Sequence, residues 1–213
     1  MNVSRAVQIR RVIAMLLLLL GVTTGGCVWS VPEPVLVREP RLEPIALSVA
    51  VYYSPEFRHF TYRHHVTDTA WILGKPSMRL FNEALPLLFT EVVESPQPGS
   101  TGSLRSGVAG VIEPTIVSAG YSYPILDSAR RADRVCFQLH MTYRFTLYSP
   151  RGERVASWDI SGEDCAPEQN PLATLNTRKL SFEQVMREAA WNLISGFRDV
   201  PDVRRWLDAQ GVR

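Results

Sequence analysis

The clearest structural pattern in the sequence is RVCFQLHMTYRFTLYSPRGERVASWDISGED, residues 134–164. Its first part, Arg134–Tyr148, alternates apolar with polar residues, which predicts a strand with one buried and one exposed face. The turn residues Ser149–Glu153 follow, and a second alternating run comes after them. The stretch therefore predicts an antiparallel hairpin. If Tyr148 lies opposite Glu153, apolar residues of both strands meet on one face, and a one-residue slip would separate them.

The same register places two cysteines opposite each other. Cys136 and Cys165 lie at the open end of the hairpin, on its polar face. A chain that has left the cytosol can keep such a pair as a disulfide. Closing a loop of about 30 residues would stabilise the fold by about 3 to 4 kcal/mol in the chain-entropy model. The alternative is two separate thiols, with the ladder fraying beyond Gly162.

Two further strands precede the hairpin. Ile45–Tyr53 alternates apolar with small or polar residues and predicts a half-buried strand. Val108–Val117 is rich in β-formers but contains Pro114, which predicts an edge strand or a bulge because proline cannot donate to a ladder.

Helical periodicity appears in two longer segments. Ser77–Glu94 repeats apolar residues at steps of three and four, and Pro86 is expected to kink this amphipathic helix. A second helix is predicted to begin at Ser181, in a capping box with Gln184, and Pro201 is predicted to begin a short terminal helix.

The element order β-α-β-β-β-α predicts an α+β two-layer sandwich: a mostly antiparallel four-stranded sheet with two amphipathic helices on one face.

A segment rich in aromatic residues, 54–76, separates the first strand from the first helix. It shows no sustained period and is predicted to be a long irregular connection. Exposed aromatic side chains on such a loop can form a surface for a partner or a ligand. Alternatively, they cover the open end of the sheet. The candidates are Phe57, Phe60, Tyr62 and Trp71.

The N-terminal residues are ordered like a bacterial export signal. Three arginines come first, an apolar run follows at Val12–Val22, and small residues lead to Cys27. As a helix the apolar run would rise about 16 Å, whereas a bilayer core is about 30 Å thick. Residues 1–26 are therefore predicted to be a signal peptide, and Cys27 is either a functional part of the signal or incidental to it.

The rest of the chain is nearly neutral. Three of its 23 basic residues belong to the signal, which leaves 20 against 21 acidic residues. A protein that binds nucleic acid needs a dense basic face, so this partner is set aside.

Four prolines between residues 32 and 44 predict an extended tether, because proline restricts its own backbone and that of the preceding residue. Residues 27–44 would form this tether, and residues 45–213 a single domain.

No motif in the sequence predicts catalysis or a bound metal. His59, His64 and His65 lie in the aromatic segment and His140 lies on the polar face of a strand, a spacing that does not suit zinc. Nucleophile-elbow, dinucleotide-binding and phosphate-loop motifs are absent from the sequence. We therefore expect no enzyme activity, no cofactor and no metal site.

The residues Gly25-Gly26-Cys27 resemble the lipobox of bacterial lipoproteins, in which the cysteine is diacylated and becomes the mature N-terminus. With its proline-rich tether and element order, the chain resembles small periplasm-facing lipoproteins of Gram-negative bacteria. It is similar in element order to the lipopolysaccharide-assembly lipoprotein LptE and, more loosely, to YajG-type lipoproteins. In such proteins the residue after the acylated cysteine influences sorting, and Val28 implies delivery to the outer membrane.

This resemblance implies a function at the periplasmic face of the outer membrane. The protein would be a lipid-anchored accessory or scaffolding lipoprotein that binds an envelope partner protein. The alternative is a module that binds a lipid or a glycan, for example an envelope glycolipid.

Overall fold

The computed structural model describes residues 28–31, 43–64, 69–97, 107–122, 136–167 and 174–212. The predicted signal peptide, Cys27 and most of the predicted tether lie outside these residues. Two sheets are described, one with five strands in the order β5-β2-β6-β7-β8 and one with three in the order β1-β4-β3. The strands are β1 Val28–Ser30, β2 Ile45–Val51, β3 Thr61–His64, β4 Thr69–Ile72, β5 Phe89–Glu94, β6 Val108–Ser122, β7 Cys136–Tyr148 and β8 Arg154–Pro167.

The described helices are α1 Pro55–Arg58, α2 Gly74–Leu88, α3 Thr174–Gly196 and α4 Pro201–Ala209, with a 3-10 turn at Phe197–Asp199. Helices α2 and α3 pack on the same face of the large sheet, as the sequence predicted. None of the helices in the described ranges is long and apolar enough to cross a membrane.

The large sheet is mixed rather than mostly antiparallel. Strands β5 and β6 both run parallel to β2, whereas β6, β7 and β8 are antiparallel neighbours. The α+β class is confirmed, but the expectation of a four-stranded sheet is wrong. Parallel strands need a long crossover connection. The chain between β2 and β5 supplies it, because α1, β3, β4 and α2 all lie there.

Strand β5 was missed because its residues continue an apparent helical stripe. The helix predicted to reach Glu94 ends at Leu88, and Phe89 is already extended, with φ −127° and ψ 148°. The residues that follow include Thr90, Val92 and Val93, whose branched side chains favour a strand. Local β propensity therefore ends the helix six residues before the predicted limit.

The segment predicted to be an irregular connection has structure of its own. It contains α1 and the antiparallel pair β3–β4, in which Tyr62 lies opposite Trp71. The predicted tether also begins with structure, since β1 pairs in parallel with β4. Val31, the residue after β1, is buried with only 4% of its surface exposed. These additions form the small sheet.

Pro114 lies in a central strand, so the predicted edge position is wrong. The ladder between β2 and β6 ends where Val51 lies opposite Ile112, and Tyr52 N–H donates to Ile112 O at 2.9 Å. Alternate residues of a strand direct their backbone groups to the same side, so Pro114 faces the same side as Ile112, beyond the end of β2. The missing donor of proline therefore costs no ladder bond.

The predicted hairpin and its faces are confirmed, but its register is wrong. Tyr148 lies opposite Arg154 instead of Glu153, and an irregularity between Leu147 and Tyr148 adds a second residue, so the pairing moves by two and Phe145 lies opposite Trp158. A shift by two keeps every side chain on its face. Cys165 then lies opposite Gln138 rather than opposite Cys136, whose partner is Pro167. The two cysteines are diagonal neighbours, and a disulfide, which stays a prediction, would require this end of the ladder to shift.

Helix α3 begins earlier than predicted. Its first residue is Thr174, so Ser181 lies inside the helix, buried with 5% of its surface exposed, and the capping box with Gln184 is wrong. Leucine, lysine and arginine before Ser181 are good helix formers and extend the helix toward its N-terminus. The terminal helix begins at Pro201 as predicted.

Candidate functional site

A pocket of about 380 Å³ opens at the carboxyl ends of the parallel strands β2 and β5. Crevices at the carboxyl ends of parallel strands are common places for ligands in α/β sheets. The pocket is lined by Tyr52, Tyr53, Pro55, Arg58, Glu94, Ser95 and Pro96.

The pocket forms because two adjacent strands end together and then diverge. Ser95 N–H donates to Val51 O at 2.7 Å, which is the last backbone hydrogen bond between the two strands. After β2 the chain turns into α1, where Ser54 Oγ accepts a bond from Phe57 N–H at 3.1 Å and Pro55 is the first helical residue. A serine N-cap followed by proline starts a helix efficiently. The two chain segments thus become the opposite walls of the pocket.

Arg58 joins these walls. Its Nε donates to Tyr53 O at 3.0 Å, and its terminal nitrogen forms an ion pair with the Glu94 carboxylate. The guanidinium also lies 5.8 Å from the centre of the Tyr53 ring. About a third of the Arg58 side chain and half of the Glu94 side chain are exposed, so both charges remain accessible from the pocket. The pair holds the pocket in shape and offers a donor and an acceptor.

Tyr53 forms the floor of the pocket and connects it to helix α2. Its ring is 1% exposed and stacks on Phe57 with 5.5 Å between ring centres. Its hydroxyl donates to Asn82 Oδ1 at 2.7 Å. Burial raises the pKa of Tyr53 well above its usual range, and the nearby Glu94 carboxylate acts in the same direction. The phenol is therefore neutral and serves as a structural support.

The arrangement suits binding more than proton transfer. Glu94 is the acidic residue in the lining, and its carboxylate is already paired with Arg58. Ser95 Oγ donates to Gln97 O at 2.8 Å, which holds the neighbouring turn. Across the ranges that the structure covers, no three His, Cys, Asp or Glu side chains are grouped to hold a metal ion. Aromatic rings beside a fixed charge pair can contact an apolar group and hydrogen-bond to a polar one.

The four aromatic residues predicted to form a partner surface do not share one exposed face. Phe57 and Trp71 belong to the core, with 2% and 0% of their surface exposed. Phe60 and Tyr62 are partly buried and pack against the same core. The Trp71 ring lies 5.4 Å from that of Phe182 in α3, so this part of the aromatic segment packs against a helix. The alternative interpretation, that the segment covers the open end of the sheet, stays a prediction.

The predicted histidines are separated by the fold. His64 is 3% exposed and stacks on Tyr121, with 3.9 Å between ring centres. His140 lies on the other face of the large sheet, beside Gly120, and His59 is exposed at the end of α1. His65 and Cys27 lie outside the described residues. The described histidines therefore do not form one site.

Sequence reasoning missed the pocket because its main charges are 36 positions apart. Arg58 and Glu94 meet only through the parallel pairing of β2 with β5, and β5 itself was taken for helix. The available signal was the pair Tyr52-Tyr53 at the end of a predicted strand.

No family model matches the chain, and no curated protein matches it in sequence. Similar solved structures include a Xanthomonas campestris protein of the DUF330 family, with 14% identity, 81% of this chain and 98% of that chain covered, and a TM-score of 0.43. A minor lipoprotein from Acinetobacter baumannii gives 8% identity, 74% and 94% coverage, and a TM-score of 0.43.

Rare lipoprotein B from Shewanella oneidensis gives 15% identity, 71% and 94% coverage, and a TM-score of 0.39. Lipoproteins of Gram-negative bacteria are thus among the structures to which this chain is similar. At these identities and TM-scores the similarity assigns neither a family nor a function, so the likeness in element order to LptE and YajG-type lipoproteins stays a prediction.

Proposed function

We propose that this protein is a lipid-anchored accessory lipoprotein at the periplasmic face of the outer membrane, where it binds an envelope partner protein through the pocket at the ends of β2 and β5. The lipid on Cys27 would restrict the protein to the membrane surface. The folded body would serve as a binding module rather than as an enzyme.

The single observation that carries the binding role is the pocket itself. Its walls are held by the Arg58–Glu94 ion pair, and its floor by the bond from Tyr53 to Asn82. A site that is already formed loses little conformational freedom when a partner binds. Its accessible groups are an aromatic ring at Tyr52 and two opposite charges, a composition typical of the centre of a protein interface.

Strand β5 extends this surface. It pairs with β2 on one side and is the terminal strand of the large sheet. The opposite terminal strand, β8, is blocked by helix α3: Glu188 accepts the backbone N–H of Glu163 at 2.7 Å, and Asn192 donates to Ser161 O at 2.7 Å. An extended segment of a partner could therefore pair with β5, while one of its side chains enters the adjoining pocket.

The anchor is tested by replacing Cys27→Ser in the full chain. We expect the variant to leave the membrane fraction, while the unchanged protein sediments with outer membranes and carries acyl mass on its N-terminal peptide. Firm membrane attachment of the variant would contradict the anchor.

The binding role is tested with a photo-crosslinking amino acid at Tyr52, in the pocket, and at Gln184, an exposed position on α3 that serves as the control. We expect one protein adduct from cells carrying the Tyr52 variant and none from the Gln184 variant. Equal labelling at both positions would contradict a partner site in the pocket.

The second candidate function is a module that binds a lipid or a glycan. The half-buried Tyr52 beside the paired charges favours it, because a sugar ring also requires aromatic faces and charged hydrogen-bonding groups. The same experiment separates the two functions. A glycolipid adduct at Tyr52 in place of a protein adduct would replace the partner-protein proposal with this one.

A further inference from the structure

The folded body begins directly after the cysteine that we propose to be acylated. Strand β1 starts at Val28, which lies opposite Ala70 of β4, and Val31 is already part of the core. Consecutive Cα atoms are about 3.8 Å apart. The residue that would carry the lipid is therefore one peptide bond away from a paired strand, and no spacer separates lipid from fold.

The end of the small sheet next to this cysteine has a composition that suits a membrane surface. Val28, Ala70 and Arg63 form one row across β1, β4 and β3. With about 4.8 Å between neighbouring strands, the Arg63 backbone lies about 10 Å from that of Val28. Val28 is 59% exposed, and Arg63 is exposed as well. An exposed apolar residue and a cation near the lipid fit the boundary between acyl chains and anionic headgroups.

We propose that this row of the small sheet lies at the phospholipid headgroups of the membrane that holds the lipid anchor, so that the body stands on the membrane with a defined orientation. The inference rests on the proposed function, because it requires an acylated Cys27. It replaces the expectation that a tether of residues 27–44 holds the body away from the lipid.

The packing of the two sheets determines which end of the body points away. His64 stacks on Tyr121 near the end of β6, and Tyr121 lies opposite Leu139 near the beginning of β7. The β7–β8 turn around Arg151 is at the other end of β7. Nine strand steps of about 3.3 Å separate Leu139 from Tyr148, so the turn lies about 30 Å from the end of β7 that is beside Tyr121.

The pocket extends away from the headgroups in this orientation. Arg58, on its near wall, is five residues from Arg63 and lies at most about 18 Å from it. Tyr52, on the other wall, is bonded to Ile112, nine residues before Tyr121 along β6, which corresponds to at most about 30 Å. A partner that reaches the pocket therefore approaches from the periplasm. This favours a protein over a headgroup of the same membrane leaflet.

The test places p-benzoylphenylalanine at Arg63 or at Arg151 in the full chain, two exposed arginines at opposite ends of the body. After irradiation of membranes that contain the protein, we expect phospholipid adducts at position 63 in about tenfold higher yield than at position 151. Inserting about ten Gly and Ser residues between Cys27 and Val28 should abolish most of this difference, because a flexible linker frees the orientation.

The outcomes separate the two proposals. Acyl mass on Cys27 with equal adduct yields at the two positions would overturn the orientation and leave the anchor intact. A Cys27 without acyl mass would overturn both. The probe at position 63 lies in β3, so the same probe at Thr61, at the other end of that strand, is the control for misfolding. A phospholipid-adduct yield at Thr61 between those of positions 63 and 151 supports the orientation. A yield above that of position 63 contradicts it.

Discussion

Gly162 lies where helix α3 presses against strand β8. A Cβ atom at this position would lie 1.9 Å from Val185 O and 2.9 Å from Ala189 N, both in the helix backbone. Neither a backbone carbonyl nor an amide can move aside without separating the helix from the sheet, so no side chain fits here.

We expect Gly162→Ala to lower the free energy of unfolding by about 3 kcal/mol through overpacking. Gly196→Ala is the matched control, because a Cβ there has no described atom within 4 Å, and we expect a change within about 0.5 kcal/mol. Urea unfolding of both variants checks this. Equal stability of the two variants would show that α3 does not pack this closely on β8.

Tyr143 should make stability fall at alkaline pH. Its hydroxyl lies 2.7 Å from Ser77 Oγ in the core, and burial raises the pKa of Tyr143 above the ordinary value of about 10. The unfolded chain then loses its phenol proton at a lower pH than the native state does. The protonated Tyr143 therefore contributes to the free energy of unfolding in full below about pH 10, and this contribution is lost as the pH rises from there toward the raised pKa.

We therefore expect the free energy of unfolding to decrease as the pH rises above about 10, and Tyr143→Phe to reduce this decrease while costing about 1 kcal/mol at neutral pH for the lost hydrogen bond. Tyr53 has a raised pKa for the same reason and accounts for part of the remaining decrease. An identical pH dependence in the variant would contradict the assignment to Tyr143.

At the scale of elements, β1 shows how a short segment closes a sheet. It covers one side of β4, and the Val31 side chain that follows fills a place in the core. Burying a valine contributes about 2 kcal/mol. The first residues of the predicted tether therefore belong to the fold.

We expect a soluble chain that begins at Glu43 to be about 2 kcal/mol less stable than one that begins at Val28. Amide hydrogen exchange should accelerate at the amides of Ala70–Ile72 in β4 that face β1, since β3 remains the partner on the other side, and stay unchanged in β7, with which β1 does not pair. Unchanged exchange in β4 would contradict the pairing, and with it the orientation on the membrane.

The elements also show where prediction from sequence works. Strand β7 was predicted with its faces because Phe137–Leu147 alternates without interruption and each residue carries its own signal. Its register against β8 was not predicted, because the alternation pattern does not specify the extra residue at Val155 that shifts the pairing. For the same reason the opposition of Cys136 to Cys165 was wrong.

At the scale of the whole molecule, one hydrophobic core connects both sheets. It includes Trp71 of the small sheet, Leu139 of the large sheet and Trp206 of the terminal helix. Elements that share a core of this kind unfold together in small domains.

We expect tryptophan fluorescence, which reports on all five tryptophans, Trp71, Trp158 and Trp206 among them, to follow the same urea transition as far-UV circular dichroism. The fluorescence of the unchanged protein is compared with that of Trp71→Phe. An early transition that is present in the unchanged protein and absent from the variant would show that the small sheet unfolds alone, and would contradict the single core.

Features that depend on neighbours along the chain could be predicted from the sequence: the alternation of β7, the stripes of α2 and α3, and the helix start at Pro201. The signal peptide before Cys27 stays a prediction of the same kind. Which strands lie side by side became visible only in the folded structure. The parallel pairing of β2 with β5, which brings Arg58 to Glu94, and the addition of β1 to β4 join residues far apart in sequence. Such contacts depend on loop closure and on packing against the whole core, and a local pattern carries no signal for either.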